Sequence, residues 1–385
     1  MRKLFFGLLI LTIILTGCTG QLPRPEQAAL NRVQPISARD ASIHERLQPI
    51  PAPLGQWRLD GGQSTIAISS DARLAVVANE QGDFHLLSID AKRLERLFSD
   101  RQYRAGSHAF IGNNRLGYLE EDETGLWLSV SDLEGHVIWR RPLQGKAELI
   151  ASTDGQRLLL LERGNGKAWL LNGNGTLLAE HAVDNETKAL FNGHNLLLQN
   201  GRKIDYYDAN GKALFTYEIK TGPAAAHVLP DRSGSRIAIT TREGDQTLYL
   251  FDRDGKLLWN TGLVAGENRP VFSEDGKQLF VIHSGRRVEV QKYDVANAKS
   301  LWRTVLTFGE KLYDSGEITQ ITAPVPNVLR LNYRASNGDR YIVDLGEDGR
   351  PTRSYRFQNQ KPILGADGYV LTVNESNTIN LYQLP

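Results

Sequence analysis

The chain has 385 residues, with 45 basic against 44 acidic side chains and a net charge of +1. That balance excludes the basic footprint of a nucleic-acid binder and provides no electrostatic pull toward anionic lipid. Glycine at 36 against a single methionine suits a turn-rich β protein better than a helical one.

Taken in order, the first 53 residues read differently from the rest. Arg2 and Lys3 precede an apolar run, Leu4–Leu15, which leads into Leu15-Thr16-Gly17-Cys18. A basic start, a short apolar core and small residues at the cut site make residues 1–17 a secretory signal. The run is shorter than the ~20 apolar residues that span a bilayer. Cys18 is the only cysteine, so the chain forms no intramolecular disulfide and no cysteine cluster for a metal. The Leu-Thr-Gly-Cys ending resembles the lipobox of bacterial lipoproteins. The resemblance implies cleavage before Cys18 and acylation of its sulfur and new amine, which gives stable anchoring. Thr19 stands where Asp would retain a lipoprotein in the inner membrane, so the enteric sorting rule implies the periplasmic side of the outer membrane. The inner membrane and the cell surface are the alternatives. Residues 18–53 contain Pro23, Pro25, Pro35, Pro49, Pro51 and Pro53 and read as a tether, with a short helix over Glu26–Arg32 as an option inside it.

From residue 54 to 385 one unit recurs. Its first half is an apolar strand, a Ser-x-Asp-Gly-like turn and a strongly apolar strand, as in 67–78, 150–162, 271–282 and 363–373. Its second half is a hairpin around Asp-x-x-Gly, typified by Tyr249–Leu263 and repeated in 130–143, 170–183, 206–219 and 292–306. The period of about 36–50 residues is that of four-stranded propeller blades. Outer strands are expected near Leu94, Val137, Leu177, Ala213, Leu257, Ser300 and Pro351, which leaves the last unit without one. Trp57 lies four residues after Pro53, as Trp139 and Trp259 lie four after Gly135 and Gly255. The N-terminal strand is therefore expected to complete the C-terminal blade. The fold class is all-β: a propeller of eight four-stranded blades, with seven as the alternative, closed by that strand. The outer-strand aromatics (Trp57, Trp139, Phe215, Trp259, Trp302) are expected as wedges between blades, with carbohydrate stacking the lesser reading.

The Asp-x-x-Gly-Lys-x-Leu-Trp hairpin resembles the repeat of quinoprotein-like (PQQ-like) β-propellers, and the Ser-x-Asp-Gly halves are similar to WD-type repeats. In length and layout the propeller also resembles the lipoprotein scaffolds of outer-membrane β-barrel assembly. That likeness is architectural, and no motif carries over residue by residue.

Little in the sequence announces chemistry. Eight histidines form no H-x-x-x-H or H-E-x-x-H pattern. The Asp/Asn/Gly clusters lack the distal glutamate of a calcium loop and read as turns. Gly164-Asn165-Gly166-Lys167 has the wrong spacing for a phosphate loop, and no G-x-S-x-G elbow is present. Neither a metal nor another cofactor is expected. One constellation remains. Counting four residues back from each Ser-x-Asp-Gly-like turn picks out Thr65, His108, Glu148, Thr187 or Lys188, His227, Arg269, Gln320 and Lys361. These are candidates for a polar ring at one mouth of the channel, against the plainer reading that strand starts are polar because they meet solvent. The leading functional expectation is a non-enzymatic, lipid-anchored, periplasm-facing scaffold, monomeric as a propeller, that binds protein partners. A glycan- or small-ligand-binding propeller is the alternative, and a degenerate quinoprotein enzyme the third reading.

Overall fold

A computed structural model of the chain describes residues 19–20 and 36–385, apart from 61–63, 70, 72, 80, 99–102, 153, 219–224, 232, 242–245, 255, 285–286, 308–316, 326–327, 359, 366–367 and 375. The signal segment, Cys18 and the optional helix over Glu26–Arg32 lie outside the described residues.

Two local turn chemistries recur among the blades. In the first, Ser69, Ser152 and Ser273 donate their hydroxyls to Asp71, Asp154 and Asp275. The same hydroxyls accept the N–H of Leu74, Arg157 and Gln278, closing the hairpin between the two inner strands. In the second, Asp132, Asn172, Asp208 and Asp252 each accept N–H bonds from the residues two and four further along. These carboxylates and amides satisfy turn backbone rather than cations.

The hairpins assemble into eight sheets, each a meander whose first strand is innermost. Blade 1 runs Ser64–Ile68, Leu74–Asn79, Phe84–Ser88 and Arg93–Phe98. The outer strands of blades 2 to 7 are Val137–Leu143, Leu177–Ala182, Ala213–Glu218, Leu257–Gly262, Lys299–Thr307 and Pro351–Phe357. Blade 8 takes three strands from Gln360–Leu364, Tyr369–Asn374 and Thr378–Gln383, and its fourth from Gly55–Arg58 near the opposite end of the chain. Trp57 stands opposite Ile379. The ring is closed by strand exchange, as the sequence predicts.

Glycine and tryptophan hold neighbouring blades together. Gly175 and Gly349 both sit at φ 80°, a left-handed conformation that disfavours other residues. A Cβ on either would meet, at 2.6 Å, the outer-strand tryptophan of the preceding blade, Trp139 or Trp302. Trp302 also donates its indole N–H to the Glu347 carbonyl at 2.6 Å, and Trp259 donates to Val295 at 3.2 Å. The repeated Asp-x-x-Gly turn therefore receives the indole of the blade before it. Between the sheets lie separate apolar clusters rather than one core; Trp302, for example, packs with Tyr333, Val343 and Leu345 of blade 7.

A second repeated device is less visible in the sequence. In blades 2 to 7 the pairing of the outer strand slips by one residue at an equivalent place, leaving Ile138, Leu178, Leu214, Leu258, Leu301 and Thr352 unpaired. Each is a β-bulge that bends the strand and re-aims a side chain. In blades 2, 5 and 6 the next residue is the tryptophan wedge.

The described part of the segment expected as a tether, residues 36–53, runs along the rim of the propeller. Arg39–Ser42 add a parallel fifth strand to blade 6, pairing with Thr304–Thr307, and Leu47–Gln48 do the same on blade 7. Between them Ile43 is fully buried in the cluster that joins these blades. Ile50 packs on the cluster between blades 7 and 8, and Trp57 on that between blades 8 and 1. The belt covers edges that would otherwise offer unpaired backbone groups.

Candidate functional site: the mouth of the channel

In a propeller the innermost strands line the channel, and all eight ring candidates lie on those strands. Six sit at the same register, three residues before the end of the ladder with the second strand: Thr65, His108, Glu148, His227, Arg269 and Lys361. Lys188 stands opposite Gln199 in blade 4, and His227 opposite Thr240 in blade 5. Gln320 faces Asn332 in blade 7, where the ladder is irregular.

The contacts are uneven around the ring. Blades 5 and 6 bring two candidates, His227 and Arg269, together around a residue the sequence reading did not single out, Glu267. Its carboxylate lies 2.8 Å from the Arg269 guanidinium and 3.3 Å from Nε2 of His227. Burial pushes the Glu267 carboxyl up, but Arg269 and His227 outweigh it and hold the group below its ordinary value. Burial also pushes His227 down; Glu267 opposes that, while Arg269 and Lys188 add to it. Arg269 continues to blade 7, donating to the Ile318 carbonyl at 2.9 Å. Gln320 then spans to blade 8, with its amide donating to the Leu364 carbonyl at 3.1 Å and accepting the Leu364 N–H at 2.9 Å.

Elsewhere the candidates remain apart. Glu148 pairs at 2.9 Å with Arg163, which in turn bonds the Thr187 carbonyl of blade 4. His108 packs edge-on against Phe84 of blade 1, and burial drives its imidazole down to about 4. Thr65 bonds within its own blade to the Ala78 carbonyl at 3.4 Å. Lys361 is exposed and makes no ion pair among the described residues. Much of the polar character at these positions thus joins one inner strand to the next.

Another set of inter-blade bonds escaped the sequence reading. Arg115 donates to the Gly173 carbonyl at 2.7 Å, Arg157 to Ala209 at 2.8 Å and Arg236 to Gly276 at 3.1 Å, each in the following blade. The signal was present: an arginine opens the second strand in Asn-Arg-Leu, Gln-Arg-Leu and Ser-Arg-Ile. Away from the mouth, a polar cleft of about 340 Å³ lies where the belt passes from blade 6 to blade 7, lined by Arg39, Asp40, Glu45, Arg46 and Arg350 among others.

A quinone cofactor held with calcium would need a converging set of acidic ligands. Among the described residues no group of three or more His, Cys, Asp or Glu is placed to hold a metal. Among the described residues, Glu148, Glu267 and Glu317 on the inner strands are each taken by an arginine. This donor set does not fit such a cofactor.

Residues 123–383 match the family profile described as outer membrane protein assembly factor BamB. The chain belongs to this family. Among solved structures, BamB from Moraxella catarrhalis matches at a TM-score of 0.54 and 14% identity, over 86% of this chain and 97% of that one. The C-terminal WD40 domain of Sif2 matches at 0.58 and 11% identity, over 86% and 98%. A eukaryotic initiation factor matches at 0.56 and 11%, over 78% and 89%. At these identities the likeness is one of fold, shared with propellers of other functions. No curated protein sequence matches the chain. BamB family membership therefore rests on the profile match, and the fold is the PQQ-like propeller the hairpin repeat implies.

Proposed function

We propose that the protein is a non-enzymatic scaffold of outer-membrane protein assembly, anchored by acylated Cys18 on the periplasmic side of the outer membrane. The observation that carries the reading is the BamB family match over most of an eight-bladed ring. A closed ring of short hairpins is well suited to the task, because it holds many loops in fixed relative positions and offers a broad surface to protein partners. The arginine- and glutamine-mediated joints between neighbouring blades stiffen that surface. Crosslinking in intact membranes followed by affinity purification of the full chain is expected to recover components of the barrel-assembly machinery. Recovery of none of them would overturn the assembly role. Palmitate labelling is expected on the wild type and lost in Cys18→Ser; retained label would overturn the anchor.

A further inference from the structure

The outer strands of blades 2 to 4 begin with exposed aliphatic side chains, and the described residues Thr19–Gly20 pair with the last of these strands. Six large aliphatic residues are notably exposed among the described residues, and four of them lie on these three outer strands: Val137, Ile138, Leu177 and Leu214. Ile138 and Leu177 are each 46% exposed and Leu214 52%. Ile138 and Leu214 are bulge residues at equivalent positions, and Leu177 is the residue just before the bulge in blade 3. A repeated bulge presents side chains along one line of the rim, where scattered exposed aliphatics would need no explanation.

The second observation is independent. Thr19 and Gly20 pair with Thr216 and Tyr217 on the outer strand of blade 4. The pairing is parallel, so Thr19 stands nearer than Gly20 to the end of that strand that carries Leu214. Thr19 directly follows Cys18 in sequence.

We infer that the rim of blades 2 to 4 is a membrane-docking surface, its occupant the headgroup and upper acyl region of a lipid bilayer. The inference rests on the proposed anchor at Cys18. Acyl chains supply the affinity, and the anchor holds the rim at high effective concentration over the bilayer. A few aliphatic side chains then suffice to choose which edge faces lipid. The propeller stands edge-on, with both loop-bearing faces open to the periplasm.

The acylated full chain contains no other cysteine, so Ile138→Cys and Leu214→Cys can be labelled singly with an environment-sensitive fluorophore. The control is Leu47→Cys on the blade 7 edge, a similarly exposed aliphatic position. Each is bound to vesicles of phosphatidylethanolamine and phosphatidylglycerol that contain a lipid with a quencher near its headgroup. Flotation reports the anchor, and quenching reports the rim. Labels at 138 and 214 are expected to be quenched about twofold or more above that at 47, since interfacial apolar groups sit ~5–10 Å deep. Flotation with equal quenching at the three sites overturns the docking surface and leaves the anchor standing. A chain that does not float overturns both. Rim labels that are unquenched in vesicles yet shielded in native envelope membranes overturn lipid as the occupant in favour of a protein.

Discussion

At the scale of residues, the joint between blades 6 and 7 shows why the Asp-x-x-Gly turn and the following tryptophan occur together. Gly349 is constrained twice, by a φ of 80° and by the Trp302 ring 2.6 Å from where a Cβ would stand. Gly349→Ala is expected to lower stability by about 2–3 kcal/mol through backbone strain and overpacking together. Trp302→Ala removes a wedge that is 5% exposed and is expected to cost about 3–5 kcal/mol. In the double variant the ring no longer opposes the new methyl group, while the left-handed backbone and the Thr304 hydroxyl 2.8 Å away remain, so the penalty of Gly349→Ala is expected to fall to about 1–2 kcal/mol. Urea denaturation of the four proteins measures the coupling. Additive costs would show that the glycine does not answer to the Trp302 ring. The placement of the ring candidates on the first strand of each blade was legible by a similar local rule, four residues back from a serine-like turn. Glu267 was not, because its role depends on which side chains blades 5 and 6 bring beside it.

At the scale of elements, the outer hairpins were readable because their information is local: an Asp or Asn caps the turn, and glycine or a left-handed substitute such as Ala298, at φ 58°, reverses the chain. The belt was not readable in that way. Its strands pair with residues more than 250 positions away and no turn connects them, so the proline-rich composition suggested a spacer. The physical trace it does leave is an apolar side chain every seventh residue, Ile43, Ile50 and Trp57, one for each gap between successive blades. Ile43 is the test of that spacing. It is fully buried among residues of blades 6 and 7, and its N–H bonds the Thr307 carbonyl at 3.1 Å. Ile43→Ala is expected to destabilise the propeller by about 2–4 kcal/mol, the range for deleting a buried aliphatic side chain. Leu47→Ala, on the exposed part of the same belt, is expected to cost under ~0.5 kcal/mol. Equal, small effects from both would mean that the segment lies on the rim without stabilising it.

At the scale of the whole molecule, seven blades are covalently continuous hairpins, whereas the eighth is held by pairing between distant segments of the chain. Gln56 and Asn380 are directly opposed there, 324 residues apart in sequence, with an amide hydrogen bond of 2.9 Å between their side chains. Separation of this one strand pair would leave two unpaired edges and expose the cluster that Trp57, Leu371 and Ile379 share with blade 1. Opening at the seam is therefore the route by which a ring of this kind loses cooperativity. A crosslink placed across it restricts the unfolded chain over nearly its full length, and its entropic value rises only slowly with loop size. Gln56→Cys with Asn380→Cys, oxidised, is expected to raise stability by about 3–5 kcal/mol over its own reduced form, provided the geometry of directly opposed strand residues is met. Hydrogen exchange reports where that gain acts. Protection should rise most at Thr378–Gln383 and Gly55–Arg58, while the hairpins of blade 4 change only in step with global stability. If oxidation left the denaturation midpoint and the exchange of blade 8 unaltered, the seam would not be where the ring opens, and an internal hairpin would be the weaker joint.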